Sequence, residues 1–359
     1  MVYTIDTDAD VFGIDRYTPN SWIVRDDNGD FWTIFRNLSG NLEIHKSTDD
    51  GVTWTNIKTL TNSDFTDNPF PTSRFQIENL EGQDKVYIIT WKLMSGTLKF
   101  YSCYIDINSN TVTIDLDGAT DSTIANSEEY KKLRWNYYYQ RLELIYNHKT
   151  ASYINGIEIP LTGAFSTKRS YETSIKDHRD SDFDRSDGKW LGWVNDSNNK
   201  QQISYNNSFY NQLVDSSSSD ILNNDIKWIS FLLSRQVTKR VIRFAVYYDS
   251  GSSTYRFVIN QDKWNGSSFT REIYDDQAIP TSNTNPLSAW AAIDTNDNIY
   301  IFWTDGSDNE CYCLKYDQSP KTWGTHQQLS SGSKGLLIMP ERYVPASSDK
   351  VIFCYQEQL

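Results

Sequence analysis

Seven short apolar runs recur along the 359-residue chain at intervals of roughly 50 residues, and this regularity is what most limits its fold. Each run follows a polar group, as F-W-T-I-F follows Asn28, Gly29 and Asp30. Helical periodicity is almost lacking, whereas short alternating or continuous apolar stretches between turn signals are typical of strands. The runs occupy residues 31–35, 86–91, 142–146, 190–194, 241–248, 299–303 and 351–355. The even spacing therefore predicts an all-β repeat architecture.

We interpret each run as the second strand of a four-stranded antiparallel blade, which predicts one β-propeller domain over residues 1–359. Seven blades are expected, with six as the alternative if the shorter middle repeats are divided differently. The other strands are predicted at 22–25, 75–80, 133–138, 289–294 and 342–344 (first), 42–46, 98–105, 202–205, 255–260 and 310–316 (third), and 54–60, 111–116, 269–274 and 323–329 (fourth). The last repeat has only two predicted strands, so residues 2–6 are expected to complete it and close the ring.

One turn between a third and a fourth strand has a specific motif, S-T-D-D-G-V-T-W at residues 47–54. After Ser47, the Asp49 carboxylate can accept backbone N–H groups, Gly51 can take a positive φ, and Trp54 can pack between blades. The motif matches S-x-D-x-G-x-T-W and resembles the Asp-box of the sialidase-like, or BNR-repeat, propeller superfamily. That resemblance implies a fold element on the outer rim and says little about chemistry. Weaker copies are predicted at 106–111, 260–266 and 316–323.

The resemblance does not extend to the catalytic pattern of sialidases. Those enzymes are expected to hold the substrate carboxylate with three arginines, the first in a Phe/Tyr-Arg-Ile-Pro motif, and to use a Tyr–Glu nucleophile. This chain has only I-D-R-Y at 14–17 and M-P-E-R at 339–342. It also lacks G-x-S-x-G, H-E-x-x-H and a phosphate-binding glycine loop. A non-catalytic role is therefore preferred, with a glycoside hydrolase or polysaccharide lyase as the alternative.

A ligand site is nevertheless predicted from arginines that we expect in the loops before first strands, where they would converge at one mouth of the propeller. Guanidinium groups there could bind an anionic sugar, and neighbouring rings could stack on it or move protons. The alternative is that these arginines bridge adjacent blades through Asp and Glu. The predicted ligand-binding residues are Arg16, Arg74, Arg169, Arg342, Tyr17, Tyr171, His178 and Tyr343.

Charge and composition exclude several classes of partner. A net charge of −13 disfavours nucleic acid and an anionic membrane surface. The sequence contains no secretory signal and no apolar run long enough to span a bilayer. Cys311 and Cys313 form C-x-C on one face of a strand, which favours buried thiols over a metal site, and no cofactor is predicted.

Three functions remain open. The first, which we prefer, is binding of a glycan or a protein at an exposed surface, such as that of a virion or phage tail. Assembly of the chain with copies of itself or on a particle belongs to the same hypothesis. Aromatic and amide residues suit such recognition. The second is an enzyme acting on acidic glycans. The third is an intracellular protein-interaction propeller. The location is expected to be the virion or the extracellular space after release, and otherwise the cytoplasm.

Overall fold

The computed structural model of the chain describes residues 22–67, 69, 74–124, 131–147, 153–166, 168–173, 177–183, 189–195, 200–205, 226–267, 269–281, 285–330, 334–344, 351 and 353–358. The chain divides into two compact units, Met1–Ser174 and Ile175–Leu359. The described residues form antiparallel sheets and one short 3-10 helix, Asn62–Asp64. Within those residues, no helix is long and apolar enough to cross a membrane.

The first unit contains three four-stranded sheets, in each of which the strands pair in chain order. The first sheet comprises β1 (Ile23–Arg25), β2 (Phe31–Arg36), β3 (Leu42–Ser47) and β4 (Thr55–Leu60), the second β5 (Arg74–Leu80), β6 (Lys85–Met94), β7 (Thr97–Asp106) and β8 (Val112–Ala119), and the third β9 (Lys131–Asn136), β10 (Arg141–Asn147), β11 (Tyr153–Ile159) and β12 (Lys168–Thr173).

The second unit contains four sheets of unequal size. The fourth sheet comprises β13 (Asp177–Phe183), β14 (Lys189–Asn195) and β15 (Lys200–Tyr205), and the fifth β16 (Ile226–Leu233), β17 (Arg240–Asp249), β18 (Thr254–Trp264) and β19 (Phe269–Ala278). The sixth comprises β20 (Ser288–Ile293), β21 (Ile299–Thr304), β22 (Cys311–Asp317), β23 (Thr322–Trp323) and β24 (Gln327–Gln328), and the seventh β25 (Lys334–Pro340) and β26 (Phe353–Gln358).

The repeat plan of small antiparallel sheets typical of a β-propeller is confirmed, and all seven apolar runs contribute the second strand of a sheet. The expectation of seven four-stranded blades is wrong among the described residues, because five sheets have four or more strands. The fourth sheet has three, and the seventh has two. Residues 2–6 lie outside the described residues, so closure by that segment stays a prediction, as does the single domain.

Second strands gave the clearest signal in the sequence because they are covered on both sides. Five of the six residues of β2 are buried, and so are the seven consecutive residues from Val241 to Tyr247 of β17. A strand covered on both faces needs a nearly continuous apolar run, not an alternating one. The fourth strands β4 and β8 carry mixed polar residues and are exposed or half-buried over most of their length. The limits of β4 were predicted to within one residue, whereas β8 extends three residues beyond its predicted end.

Apolar side chains of neighbouring sheets interlock to form the core. In the first unit, Trp91 and Phe100 of the second sheet share one buried cluster with Leu144 and Tyr146 of the third. In the second unit, the ring of Phe257 in the fifth sheet lies 5.1 Å from Trp303 in the sixth. A single sheet cannot bury these faces by itself, so each sheet depends on its neighbour for stability.

Hydrogen bonds also join neighbouring sheets along their first strands and the turns that follow them. The Gln76 amide of β5 donates to the carbonyl oxygen of Lys131 at 2.7 Å and accepts from the backbone N–H of Leu133 at 2.7 Å, both in β9. In the turn after β1, the Asp27 carboxylate accepts from the Asn79 amide at 2.9 Å and from the Gly82 N–H at 2.7 Å. These contacts fix the spacing between first strands.

The turn at residues 47–54 forms the hydrogen bond to Asp49 that its sequence predicts, and several others. The Asp49 carboxylate accepts from the Thr53 backbone N–H at 2.8 Å and from the Thr53 hydroxyl at 2.6 Å. The buried Ser47 hydroxyl accepts from the Gly51 N–H at 2.9 Å, and Gly51 has φ +79°. The Trp54 indole N–H donates to the Gly51 carbonyl oxygen at 3.0 Å. Packing of Trp54 between blades stays a prediction.

The weaker copies of this motif have mixed outcomes. At 106–111, the Asp106 carboxylate accepts from the backbone N–H groups of Asn108 and Ser109, so this segment is a turn of the expected kind. At 260–266 the expectation is wrong, because Asp262 lies inside β18 and forms a fully buried ion pair with Arg243, 2.6 Å from Nη2. A buried carboxylate that compensates an arginine has no role in a turn.

The cysteines described by their side chains lie in strands. Cys103 is buried in β7, and Cys311 and Cys313 lie two residues apart in β22. Burial raises the pKa of Cys103 to about 12, and burial also raises the pKa of Cys313 to about 12. The thiolate forms that bind metals and react with electrophiles are therefore disfavoured at neutral pH.

Replacing Ser47 with alanine is expected to destabilise the first sheet by about 1 kcal/mol, because the Gly51 N–H loses its buried acceptor. Urea unfolding of S47A measures the change in the free energy of unfolding. S63A is the matched control, since the Ser63 hydroxyl is exposed and bonds only to a nearby threonine. Equal effects of the two substitutions would contradict the role assigned to Ser47.

Hydrogen bonds from Thr53 hold the pKa of Asp49 below its ordinary value. The stabilisation that this carboxylate contributes is therefore present above the unfolded-state pKa of about 4, and it is lost as the pH falls through the lowered folded pKa.

Candidate functional site

The predicted ligand-binding residues lie at several different positions in the sheets. Arg74 begins β5, and His178 lies near the start of β13, as expected for residues close to the beginning of a first strand. Arg169 and the neighbouring Tyr171 lie instead within β12, the fourth strand of the third sheet, so the expectation that Arg169 lies in a loop before a first strand is wrong. Arg16 and Tyr17 lie outside the described residues, and the ligand-binding role of all these residues stays a prediction.

Arg342 and Tyr343 follow the first strand of the seventh sheet, and the expectation of a first strand at 342–344 is wrong. The first strand is β25, where the apolar stretch before Pro340 pairs with β26. Beyond it, Tyr343 forms an isolated parallel bridge with Ile293 at the end of β20. Arg342 and Tyr343 therefore follow the last residue of their first strand, whereas the sequence predicted that Arg342 precedes it.

This position brings together residues from three sheets, which we call the Asp182 cluster: Asp182, Arg235, Arg342 and Tyr343. Asp182 is buried one residue before the end of β13. Its Oδ2 accepts a hydrogen bond from the Tyr343 hydroxyl and lies 3.2 Å from Nη2 of Arg342. One carboxylate oxygen thus holds both a phenol and a guanidinium group.

The fifth sheet completes the surroundings of Tyr343. The backbone N–H of Leu233, the last residue of β16, donates to the Tyr343 hydroxyl at 3.4 Å. The guanidinium of Arg342 also donates from Nη2 to the carbonyl oxygen of Phe231 in the same strand. These contacts hold Arg342 and Tyr343 across the ends of two neighbouring first strands.

Arg235 is the exposed member of the cluster. Its Cζ lies 5.0 Å from the centre of the half-buried Tyr343 ring, within the range of a cation–π contact. Its backbone N–H donates at 2.7 Å to Asp297, whose buried carboxylate also accepts from the Ser234 hydroxyl at 2.5 Å. The turn that carries Arg235 is therefore attached to the next sheet, and the arginine projects from a fixed backbone.

The electrostatics of the cluster keep Tyr343 in its phenol form. Burial raises the pKa of Tyr343 well above its ordinary value, and the charge of Asp182 raises it further, while Arg342 and Arg235 oppose this change. At neutral pH, Tyr343 is therefore a neutral hydrogen-bond donor to Asp182. A phenol in this state can bind and orient a ligand, but it is a poor base.

Sequence reasoning identified two members of the cluster, Arg342 and Tyr343, and missed Asp182 and Arg235. Asp182 belongs to the polar strand D-H-R-D-S-D-F, of which only His178 was predicted to bind a ligand. No first strand was predicted for the fifth sheet, so the turn at Arg235 was not recognised. The apolar stretch I-S-F-L-L directly before Ser234 was the available signal.

Asp182→Ala is expected to lower the free energy of unfolding by about 2–4 kcal/mol, because Arg342 and Tyr343 lose a buried acceptor. Y343F is expected to cost about 1 kcal/mol, and the double variant should cost less than the two single changes added together. Urea unfolding of the three variants measures this coupling. The control is D308A, since Asp308 also accepts from a tyrosine hydroxyl, that of Tyr312, but is exposed. Additive single and double effects would refute the coupling.

Comparisons with known proteins support the fold. No family model and no curated protein sequence matches the chain. The chain is similar in structure to the polysaccharide lyase Uly1, with a TM-score of 0.56 and 10% identity over 97% of this chain and 88% of that one. It is also similar to a prolyl endopeptidase, with a TM-score of 0.56 and 11% identity over 95% of this chain, but it spans only 46% of that protein.

The similarity to the Aleuria aurantia lectin is weaker, with a TM-score of 0.49 and 11% identity over 88% of this chain and 98% of that one. At these identities the comparisons establish the β-propeller fold and leave the function open. The resemblance to the sialidase-like superfamily is not confirmed by a family model. The chain is an all-β protein with the fold of a β-propeller.

Proposed function

We propose that this chain is a glycan-recognising β-propeller that binds an acidic sugar at the Asp182 cluster. The observation that supports this most directly is the exposed Arg235, placed over the half-buried ring of Tyr343. The guanidinium group can bind a sugar carboxylate with two parallel hydrogen bonds, and the aromatic side chain can pack on the apolar face of the sugar. Asp182 and Arg342 hold the tyrosine in position beneath it.

A fixed arginine makes the proposed site more effective than a flexible one. An exposed arginine that binds a ligand loses side-chain freedom, and this entropy cost is smaller when the guanidinium is already restrained. The backbone of Arg235 is attached to Asp297, and its side chain contacts Tyr343. Local contacts of this kind supply the attraction, since the net charge of −13 repels an anionic polysaccharide at long range.

The protonation state of Tyr343 favours binding over catalysis. Elimination from a uronate requires a base that removes the proton next to the carboxylate. Burial keeps the pKa of Tyr343 well above its ordinary value, and its hydroxyl already donates to Asp182. Asp182 in turn accepts from the Phe183 N–H at 2.9 Å through its other oxygen, so both carboxylate oxygens are engaged.

A carbohydrate-active enzyme is the second candidate. The structural similarity to the polysaccharide lyase Uly1, which covers 97% of this chain and 88% of that one, supports this candidate. In such an enzyme, Arg342 and Arg235 would neutralise a uronate carboxylate, and a base outside the Asp182 cluster would be required. Association with a virion, a phage tail, copies of the chain or a protein partner stays a prediction, and co-sedimentation with particles tests it.

Binding to uronate-containing and sialylated oligosaccharides is the main test of this proposal. We expect R235A to weaken the affinity about tenfold or more, with R235K intermediate because lysine cannot form the bidentate contact. The matched control is R25A, since Arg25 also lies over an aromatic ring, that of Phe31, but belongs to the first sheet. Isothermal titration calorimetry measures the dissociation constants.

Two results would contradict the proposal. Unchanged affinity in R235A would show that the acidic sugar binds elsewhere. Formation of unsaturated uronate products, monitored by ultraviolet absorbance and abolished in R342A, would instead establish the lyase alternative.

A further inference from the structure

A second exposed aromatic group lies in the first unit, in the turn between β9 and β10. It consists of Tyr137, Tyr138 and Tyr139, which we call the tyrosine turn, with exposed fractions of 38%, 56% and 43%. Among the described residues, seven large hydrophobic side chains are exposed, and three of them lie in this one turn. Single exposed apolar residues are normal on a protein surface, but three adjacent rings call for an explanation.

Hydrogen bonds with neighbouring side chains restrain the backbone of the tyrosine turn. The side chain of the buried Asn136 accepts from the Tyr139 N–H at 3.2 Å. The amide of Gln140 donates to the carbonyl oxygen of Tyr137 at 2.5 Å, and the backbone N–H of Gln140 points to the same oxygen at 3.4 Å. The turn therefore presents its rings from a defined conformation.

The rings themselves are also restrained. Tyr138 and Tyr139 meet edge to face, with ring centres 4.9 Å apart. Arg141 lies over the Tyr139 ring with its Cζ 4.2 Å from the centre, and its Nε is 2.5 Å from the buried carboxylate of Glu143. Arg141 thus connects the exposed ring of Tyr139 to the buried carboxylate of Glu143. The side chains thus lose little further freedom when a ligand binds.

Polar groups suited to sugar hydroxyls lie beside the rings. The exposed Gln83 amide, in the turn after β5, donates to Oε1 of the exposed Gln140 at 2.7 Å. Each planar amide offers both donors and an acceptor. Aromatic faces next to such amides match a pyranose, which has an apolar face and a rim of hydroxyl groups.

The size of the tyrosine turn favours a sugar over a protein. Its three rings expose on the order of 300 Å² at most, whereas a stable protein interface needs roughly 800 Å² on each partner. One or two sugar rings fit the smaller area. Neither the amides nor the phenol groups of the turn carry a charge that would select an anion.

We propose that the tyrosine turn is a second carbohydrate contact, specific for uncharged pyranose units and distinct from the Asp182 cluster. It rests on the proposed glycan-recognising function but uses different residues and a different class of sugar.

The experiment uses saturation-transfer NMR and affinity measurement on the full chain with neutral cello-, malto- and galacto-oligosaccharides as probes. We expect Y138A to weaken binding of a neutral probe about tenfold, and Y138F to preserve it, because the ring and not the hydroxyl provides the stacking surface. L38A is the control, since Leu38 is an even more exposed apolar residue in a different turn. Unfolding by urea verifies that each variant remains folded.

The outcomes separate this inference from the proposed function. Loss of neutral-sugar binding in Y138A and its retention in R235A would support a second site, even if acidic sugars fail to bind at the Asp182 cluster. No binding of any neutral probe, or equal binding by Y138A and the unmodified chain, would overturn it. Capture of a protein in a Tyr138-dependent manner without any sugar binding would also overturn it, in favour of a protein interface.

Discussion

The structure depends on the coverage of each small sheet by the next one. Second strands such as β2 and β17 are apolar on both faces, so an isolated sheet would expose a full layer of hydrophobic side chains to water. The buried cluster shared by the second and third sheets shows how this need is met in the first unit. The same demand accounts for an unusual composition, with few aliphatic but many aromatic residues, since large rings bridge the gap between neighbouring sheets.

Hydrogen bonds between neighbouring sheets add to this packing at the turns between first and second strands. Asp27 receives two donors from the following sheet, and Asp297 receives two from the preceding one. Both proposed sugar contacts use this type of turn: Arg235 lies between β16 and β17, and Tyr138 between β9 and β10. A turn that is hydrogen-bonded to two sheets can hold exposed side chains in fixed positions. Ligand binding requires side chains that are held in this way.

Sequence reasoning predicted the parts of the fold that follow from local burial. Strands covered on both faces have a distinctive apolar run, and the hydrogen bonds of Asp49 and Gly51 arise within eight residues. The strand β25 was missed, and the outer strands β8 and β19 extend further than predicted, because polar residues weaken the strand signal there and an R-Y-V stretch lies next to β25. The site was predicted in part: Arg342 and Tyr343 were identified, but only their contacts with distant strands show that Asp182 and Arg235 belong beside them.

The Asp182 cluster also has a consequence for the order in which the protein folds. Tyr343 and Asp182 are 161 residues apart in sequence, and Arg342 reaches Phe231 across 111 residues. Contacts of such high sequence separation form late, because the loops between them must close first. A chain emerging from the ribosome would therefore complete this cluster only after β25 and the following residues Arg342 and Tyr343 have been synthesised. Ligand binding there would report that the fourth and fifth sheets and the end of β25 have come together.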